Sequence, residues 1–140
     1  MSVTSPARPP TGRSPSRVLH PGSAGMLVGG LLLLVGSLLP WVSTPFGSLS
    51  GVAGPGLWTL CAGTLAVAGA LLPYRRVALA HAAVPGVAVA GIAVWQLGRI
   101  VHINASTGSW GELLPGMGLV MVAGAAVILL RTAYRMYSVA

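Results

Sequence analysis

The sequence contains no lysine, no aspartate and a single glutamate, against eight arginines. Charged residues make up only 6% of the chain and hydrophobic residues 54%, with a mean hydropathy of +0.83. A soluble domain needs more polar surface, so these shortages predict that a membrane is the solvent. The net charge of +7 would suggest a nucleic-acid partner in a soluble protein. Here the arginines fall between apolar runs, so we expect no nucleic-acid partner.

The chain also has only one cysteine, Cys61, which lies inside an apolar run and has no partner for an internal disulfide. The sequence has no Cys-x-x-Cys, His-x-x-x-His or paired carboxylates, so it predicts no metal site, no cofactor site and no catalytic residues. A hydrolase triad of Ser106 or Ser109 with His102 and Glu112 lacks a Gly-x-Ser-x-Gly context. We therefore expect a protein that is not an enzyme.

Four apolar runs dominate what is present. They cover about residues 24–42, 54–72, 77–97 and 113–130. The first run would extend roughly 28 Å at about 1.5 Å per residue, close to the hydrocarbon core of about 30 Å. The predicted fold class is an all-α membrane protein, with a bundle of four transmembrane helices over residues 24–131.

The segments on either side of the bundle differ from it in composition. Residues 1–23 are rich in Pro, Ser and Arg without apolar periodicity, which predicts a disordered tail. Residues 132–140 form a short basic and aromatic end. A basic region before an apolar run also fits a signal peptide, but the first run exceeds the usual length of about 7 to 15 residues and no Ala-x-Ala cleavage site follows it.

The arginines and aromatic residues predict how the spans are oriented. Arginines fall in the tail, in the turn after Pro73 and after the fourth run, whereas Arg99 on the other side is balanced by Glu112. The positive-inside rule therefore places both termini in the cytoplasm of a multi-pass protein of the cell membrane. The four tryptophans fall at or near the outer interface and the three tyrosines at the inner one.

Small residues at every fourth position of the second and third runs predict close helix packing. They are Ala62, Ala66 and Ala70 in the second run, and Ala78, Ala82, Gly86 and Ala90 in the third. We expect them to pack within the bundle, and the alternative is an interface with a membrane-protein partner or a second copy of the chain. Pro85-Gly86 interrupts the third run and predicts a kink that fits the bundle, with the hinge of a transporter as the alternative.

The second and fourth runs open alike, which suggests an internal repeat. The matching openings are Gly54-Pro55-Gly56-Leu57 and Gly116-Met117-Gly118-Leu119. If the repeat is real, a two-helix hairpin is duplicated in the same orientation, with its halves related by an axis along the membrane normal. The match is short and Gly is common in this chain, so duplication and chance both remain open as its origin.

Residues 95–118 gather the rare polar residues of the chain. This stretch holds the only Gln, the only Asn and the only acidic residue. We expect its loop to carry any recognition outside the cell membrane, through Arg99, His102, Asn104, Trp110 and Glu112. Glu112 is predicted at the start of the fourth helix, where its carboxylate favours the positive end of the helix dipole and pairs with Arg99.

Several features together resemble a known kind of protein. The all-arginine basic set, the Ala, Gly and Val richness, the Pro-Arg-Ser tail, Leu39-Pro40-Trp41 and Gly54-Pro55-Gly56 resemble the small four-helix integral membrane proteins of high-GC actinobacteria. Those proteins are mostly uncharacterised. The resemblance implies location and architecture, and it implies no catalytic residues.

The sequence offers little chemistry and much packing surface. We therefore expect an accessory, scaffold or assembly partner in the cell membrane, which acts through its helix surfaces and its outer loop. The lipid bilayer is its first partner. The alternative is a small-molecule carrier or channel in which Pro85 and Gly86 form the hinge.

Overall fold

The computed structural model describes residues 22–139, which form four α-helices and three short β-strands. The helices are α1 (Ser23–Leu38), α2 (Gly56–Ala70), α3 (Arg75–Thr107) and α4 (Met117–Ser138). The strands are β1 (Pro40–Thr44), β2 (Gly47–Ser50) and β3 (Leu114–Pro115), and a 3-10 turn covers Gly51–Ala53. The prediction of four helices is confirmed. The predicted disorder of residues 1–23 falls almost wholly outside the described residues.

The helices form an antiparallel bundle in which each helix contacts two neighbours. α1 packs against α2 and α4, and α3 packs against the same two helices. Ser23 Oγ donates to Ala70 O at 2.9 Å near one end of the α1–α2 pair, and the Ser37 and Thr59 hydroxyl oxygens lie 2.6 Å apart near the other. We call the end at which Gly22 lies the terminal end, and the strands lie at the opposite end.

Two of the helices are long and apolar enough to cross a membrane. α3 has 33 residues and α4 has 22, while α1 and α2 are shorter apolar helices of 16 and 15 residues. Large apolar side chains are exposed on all four helices, among them Leu31, Leu65, Val84 and Val127. Such a surface suits lipid better than water, which supports a membrane-associated protein.

Small residues form the contacts between the helices, as predicted. The buried members of the two stripes are Ala62, Ala66, Ala70, Ala78, Ala82 and Gly86. Gly63 shows how closely two backbones approach, because a Cβ atom there would lie 3.1 Å from Gly30 O of α1. These residues therefore pack against other helices of the same chain.

α3 is longer than predicted, because it continues through residues expected to form a loop. The predicted third span ends at residue 97, but the helix ends at Thr107, where Gly108 adopts a left-handed conformation with φ of 66°. Polar residues alone do not stop a helix, whereas a left-handed glycine does. The segment between the predicted third and fourth spans is therefore helical as far as Thr107, instead of a loop throughout.

The other helix ends shift because the strands take residues assigned to the apolar runs. α1 ends at Leu38, and β1 includes residues 40–42, which were predicted to belong to the first span. α4 begins at Met117 instead of residue 113, and β3 precedes it. α4 then continues to Ser138, so most of the predicted C-terminal end is helical.

The strands form a small antiparallel sheet in the order β2-β1-β3. β1 follows α1, turns at residues 45–46 into β2, and pairs on its other side with β3, which precedes α4. No strand was predicted from the sequence. We call the three strands, the Gly51–Ala53 turn and residues 96–107 of α3 the cap.

Candidate functional site at the cap

A cleft of about 290 Å³ lies in the cap, between the sheet and α3. Three side chains with distinct chemistry line it, namely the Trp41 indole, the Gln96 amide and the Arg99 guanidinium. Small-molecule sites usually start at about 300 Å³, so this space suits one side chain or one small polar group. We call it the cap cleft.

Trp41 faces inward because β1 bulges at this residue. The regular pairing of β1 with β2 is interrupted between Pro40 and Val42, and a bulge of this kind redirects a side chain. The indole Nε1 donates to Gly36 O at 3.0 Å, and the residue is 2% exposed. Gly51 lies against the ring with no room for a side chain. Trp41 is therefore a wall of the cleft, and its predicted place in an aromatic belt is wrong.

Gln96 brings an unpaired amide to the cleft. The residue is 8% exposed, and its Oε1 is buried without a hydrogen-bond donor among the described residues. Leaving a buried acceptor unpaired costs about 1–3 kcal/mol. Gln96 also lines the cleft, so a hydrogen-bond donor that reached its Oε1 would remove this cost.

Arg99 supplies the one cationic side chain that lines the cleft. Its guanidinium carbon lies 5.5 Å from the centroid of the Trp95 ring, a cation–π distance. The predicted ion pair with Glu112 does not form, since residues 22–139 contain no ion pair. Glu112 is exposed in the turn before β3, instead of in the first turn of α4. No carboxylate among residues 22–139 therefore neutralises the Arg99 charge, although the guanidinium lies against the Trp95 ring.

Asn104 holds the cap together. Its Nδ2 donates to Leu113 O at 3.1 Å, which ties the segment before β3 to α3. The other predicted recognition residues, His102 and Trp110, are exposed and do not line the cleft. The five predicted residues therefore do not converge on one site.

Gln96 is the functional candidate that was not predicted. The signal was present, because Gln96 is the only glutamine of the sequence and lies within an apolar run. Gln96 belongs to the predicted third span, whereas the predicted recognition residues lie mostly in the loop after that span. The cleft becomes visible only when β1 and α3 are brought together.

The two serines considered for a hydrolase triad form hydrogen bonds within their own segment. Ser106 Oγ donates to Ile103 O at 3.1 Å, and Ser109 Oγ lies 2.6 Å from Thr107 Oγ1. Neither hydroxyl is bonded to His102. A serine nucleophile and a His102 base are therefore not hydrogen-bonded to each other.

Pro85 and Gly86, the predicted hinge, lie within the bundle and outside the cap cleft. Both residues are buried, and α3 continues through them as one helix. A Cβ atom on Gly86 would lie 3.0 Å from Leu130 Cδ2 of α4. The pair therefore takes part in the contact between α3 and α4.

The fold and the cleft define a small helical protein whose bundle includes two helices long and apolar enough to cross a membrane and carries a β-sheet cap. The chain matches no protein family, no curated protein and no solved structure. The resemblance to small actinobacterial four-helix membrane proteins therefore stays a prediction.

Proposed function

We propose that the chain crosses the cytoplasmic membrane four times, with the cap outside and both termini inside. The support comes from the arginines. Arg75, Arg76, Arg131 and Arg135 lie toward the terminal end, and Arg99 is the one arginine of the cap. The positive-inside rule assigns the arginine-rich end to the cytoplasm.

The packing of the short helices supports four spans. α1 and α2 lie beside α3 and α4, so a bilayer that surrounds the long helices also surrounds the short ones. Their 16 and 15 residues extend roughly 22 to 24 Å, which is less than the hydrocarbon core of about 30 Å. A bilayer adapts to short helices by thinning locally.

Within this topology, we propose an accessory protein that binds an extended peptide segment of an extracytoplasmic partner in the cap cleft. The observation that carries the proposal is Gln96, whose buried Oε1 has no donor in residues 22–139. A primary amide is complementary to a peptide group, which offers one N–H donor and one C=O acceptor. Arg99 beside it favours a segment that carries a carboxylate.

The free edge of the sheet supports the same class of partner. β2 is an edge strand, and all four of its residues are exposed. The unpaired backbone groups of an edge strand pair readily with a strand added by another chain. Leu49 and Ser50 also line the cleft, so a strand added to β2 would lie near Gln96. Phe46, fully exposed at the hairpin tip, adds an apolar contact.

A photo-crosslinking amino acid at position 49 tests this proposal in the native membrane. We expect a crosslinked polypeptide, because Leu49 lines the cleft and is 61% exposed. Position 127 is the matched control, since Val127 is 65% exposed but lies on α4, away from the cap. Gln96→Leu and Arg99→Gln should abolish the crosslink at position 49.

His102→Ala is the control for general effects of changing the cap. His102 is exposed on the same helix but does not line the cleft, so this variant should keep the crosslink. Identical products from positions 49 and 127 would contradict the proposal. A partner-free, monodisperse protein without a crosslink at position 49 would contradict it as well.

The carrier or channel alternative receives less support. It requires movement at Pro85 and Gly86, which pack against α4 within a continuous helix. Solute flux in proteoliposomes that is lost on Pro85→Ala would favour a carrier over the accessory protein.

A further inference from the structure

A second cavity, of about 550 Å³, lies at the terminal end of the bundle, away from the cap cleft. It opens between the first turn of α1, the start of α3 and the last turns of α4. In the proposed topology this is the level of the lipid headgroups on the cytoplasmic side. We call it the inner pocket.

Two arginines line the inner pocket, and no acidic side chain balances them. The Arg75 guanidinium donates to Met136 O, which holds Arg75 at the wall and leaves it further N–H donors. Arg135 is exposed, and its side chain makes no ion pair or hydrogen bond with residues 22–139. The only acidic side chain of the sequence, that of Glu112, lies at the opposite end of the molecule. Among residues 22–139, no acidic side chain lies near the two arginines, so the pocket attracts an anion.

The rest of the lining adds little polarity. Its other walls are mostly small or apolar residues from the start of α1 and the end of α4, namely Gly22, Ala24, Gly25, Met136 and Val139. Thr132 contributes a hydroxyl, but that hydroxyl donates to Ile128 O at 2.8 Å within its own helix. A free inorganic anion would leave the apolar walls uncovered. An anion attached to hydrocarbon would cover them, which is favourable.

We propose that the inner pocket binds the headgroup phosphate of an anionic phospholipid from the cytoplasmic leaflet. Arg75 and Arg135 contact the phosphate oxygens, and the glycerol and first acyl carbons lie against the apolar walls. The volume lies within the range of about 300–1,000 Å³ that is usual for small-molecule sites. The proposal depends on the membrane topology and is independent of the peptide partner at the cap.

Native mass spectrometry of the full chain, released from vesicles of phosphatidylglycerol and phosphatidylcholine, tests the proposal. We expect phosphatidylglycerol to remain bound and phosphatidylcholine to be lost. Arg135→Gln should lower the retained fraction roughly fivefold, which corresponds to one arginine contact with an anionic lipid. Arg135→Lys, which keeps the charge, should restore most of the retention.

The chain offers two matched controls that remove the same charge outside the pocket. Arg131→Gln changes an exposed arginine of α4, and Arg76→Gln changes the neighbour of Arg75 at the start of α3. Both should retain the lipid as the unmodified chain does, whereas Arg75→Gln should lose it. If Arg75→Gln folds poorly, the comparison of Arg131→Gln with Arg135→Gln decides the outcome. Arg135 forms no side-chain bond with another element among residues 22–139, so its replacement should not affect folding.

Three results would overturn the proposal. Equal losses in Arg131→Gln and Arg135→Gln would show a general effect of charge instead of a site. Displacement of the lipid by excess inorganic phosphate would show that the free anion is the ligand. Absence of retained phosphatidylglycerol from the folded, unmodified chain would exclude a lipid site.

Discussion

Two buried amides in α3 show how differently a polar side chain is used in the cap. Asn104 Nδ2 bonds to Leu113 O and fixes the segment before β3, although its Oδ1 is unpaired. Gln96, two turns earlier, bonds to none of the described residues through its buried Oε1. A made hydrogen bond contributes about 1 kcal/mol, whereas an unpaired buried group costs about 1–3 kcal/mol. Removing the Gln96 amide should therefore stabilise the fold, whereas removing the Asn104 amide loses a hydrogen bond as well as an unpaired oxygen.

Gln96→Leu should stabilise the folded protein by about 1–3 kcal/mol, because leucine has a similar volume and no unpaired oxygen. The same variant should bind no partner at the cap. Asn104→Leu should gain less stability than Gln96→Leu, because the relief of its unpaired Oδ1 is offset by the lost hydrogen bond to Leu113 O. Thermal unfolding in detergent measures both. Equal destabilisation by the two variants would contradict the assignment of Gln96 as an unpaired residue.

The role of a single residue in the cap depends on which groups it pairs with. Arg99 was predicted as a recognition residue, and it lines the cleft. Its predicted partner Glu112 lies in the turn before β3 and does not pair with it, since β3 separates Glu112 from the start of α4. Whether a side chain is paired depends on residues that are distant in the sequence, so the sequence holds little information about it.

At the scale of the element, the cores of the helices were predictable and their ends were not. Within the cap part of α3, Gln96, Ile100 and Asn104 are buried at every fourth position, while Val101 and His102 between them are exposed. This is a helical period, and the polarity of the segment concealed it. The strands have two to five residues, and β3 pairs with a strand far away in the sequence. Short strands with distant partners have little local signal.

The contact between α1 and α4 makes a prediction at Gly118. A Cβ atom there would lie 2.5 Å from Gly36 O and 2.8 Å from Leu39 O, and backbone atoms cannot easily move aside. Gly118→Ala should therefore destabilise the protein by about 1–3 kcal/mol, the usual cost of overpacking. Unfolding midpoints in detergent measure this loss.

Gly124→Ala is the matched control in the same helix. No atom lies within 4 Å of a Cβ atom built there, and alanine is a better helix former by about 1 kcal/mol. Its midpoint should therefore equal or exceed that of the unmodified chain. If Gly118→Ala behaves in the same way, the close approach of α1 and α4 is incorrect.

For the whole molecule, the apolar runs predicted the four helices. The positions of the arginines are the basis of the proposed topology. Both signals are local in the sequence and large in energy, because burying charge in lipid is costly. The cap cleft has no signal of this kind, neither local in the sequence nor large in energy. It exists only where β1, α3 and Leu113 meet, and those contacts are tertiary.

A cysteine at Ser106 tests the topology of the whole molecule. Ser106 is exposed in the cap, and Cys61 must first be replaced by alanine because it is exposed on α2. Ser106→Cys should react with a membrane-impermeant thiol reagent on intact cells. Ser138→Cys, exposed at the terminal end, should react only after lysis. The reverse pattern would place the cap in the cytoplasm.

In the proposed topology, α3 extends from the lipid into the aqueous phase. Its 33 residues extend about 50 Å, and a hydrocarbon core occupies about 30 Å of that length. One continuous rod therefore carries Gln96 and Arg99 at the membrane surface, while the sheet that faces them is joined to α1 and α4. Tilting α3 against those two helices widens or narrows the cleft. In the proposed topology, a change of bilayer thickness that tilted α3 would therefore change the space available for a ligand.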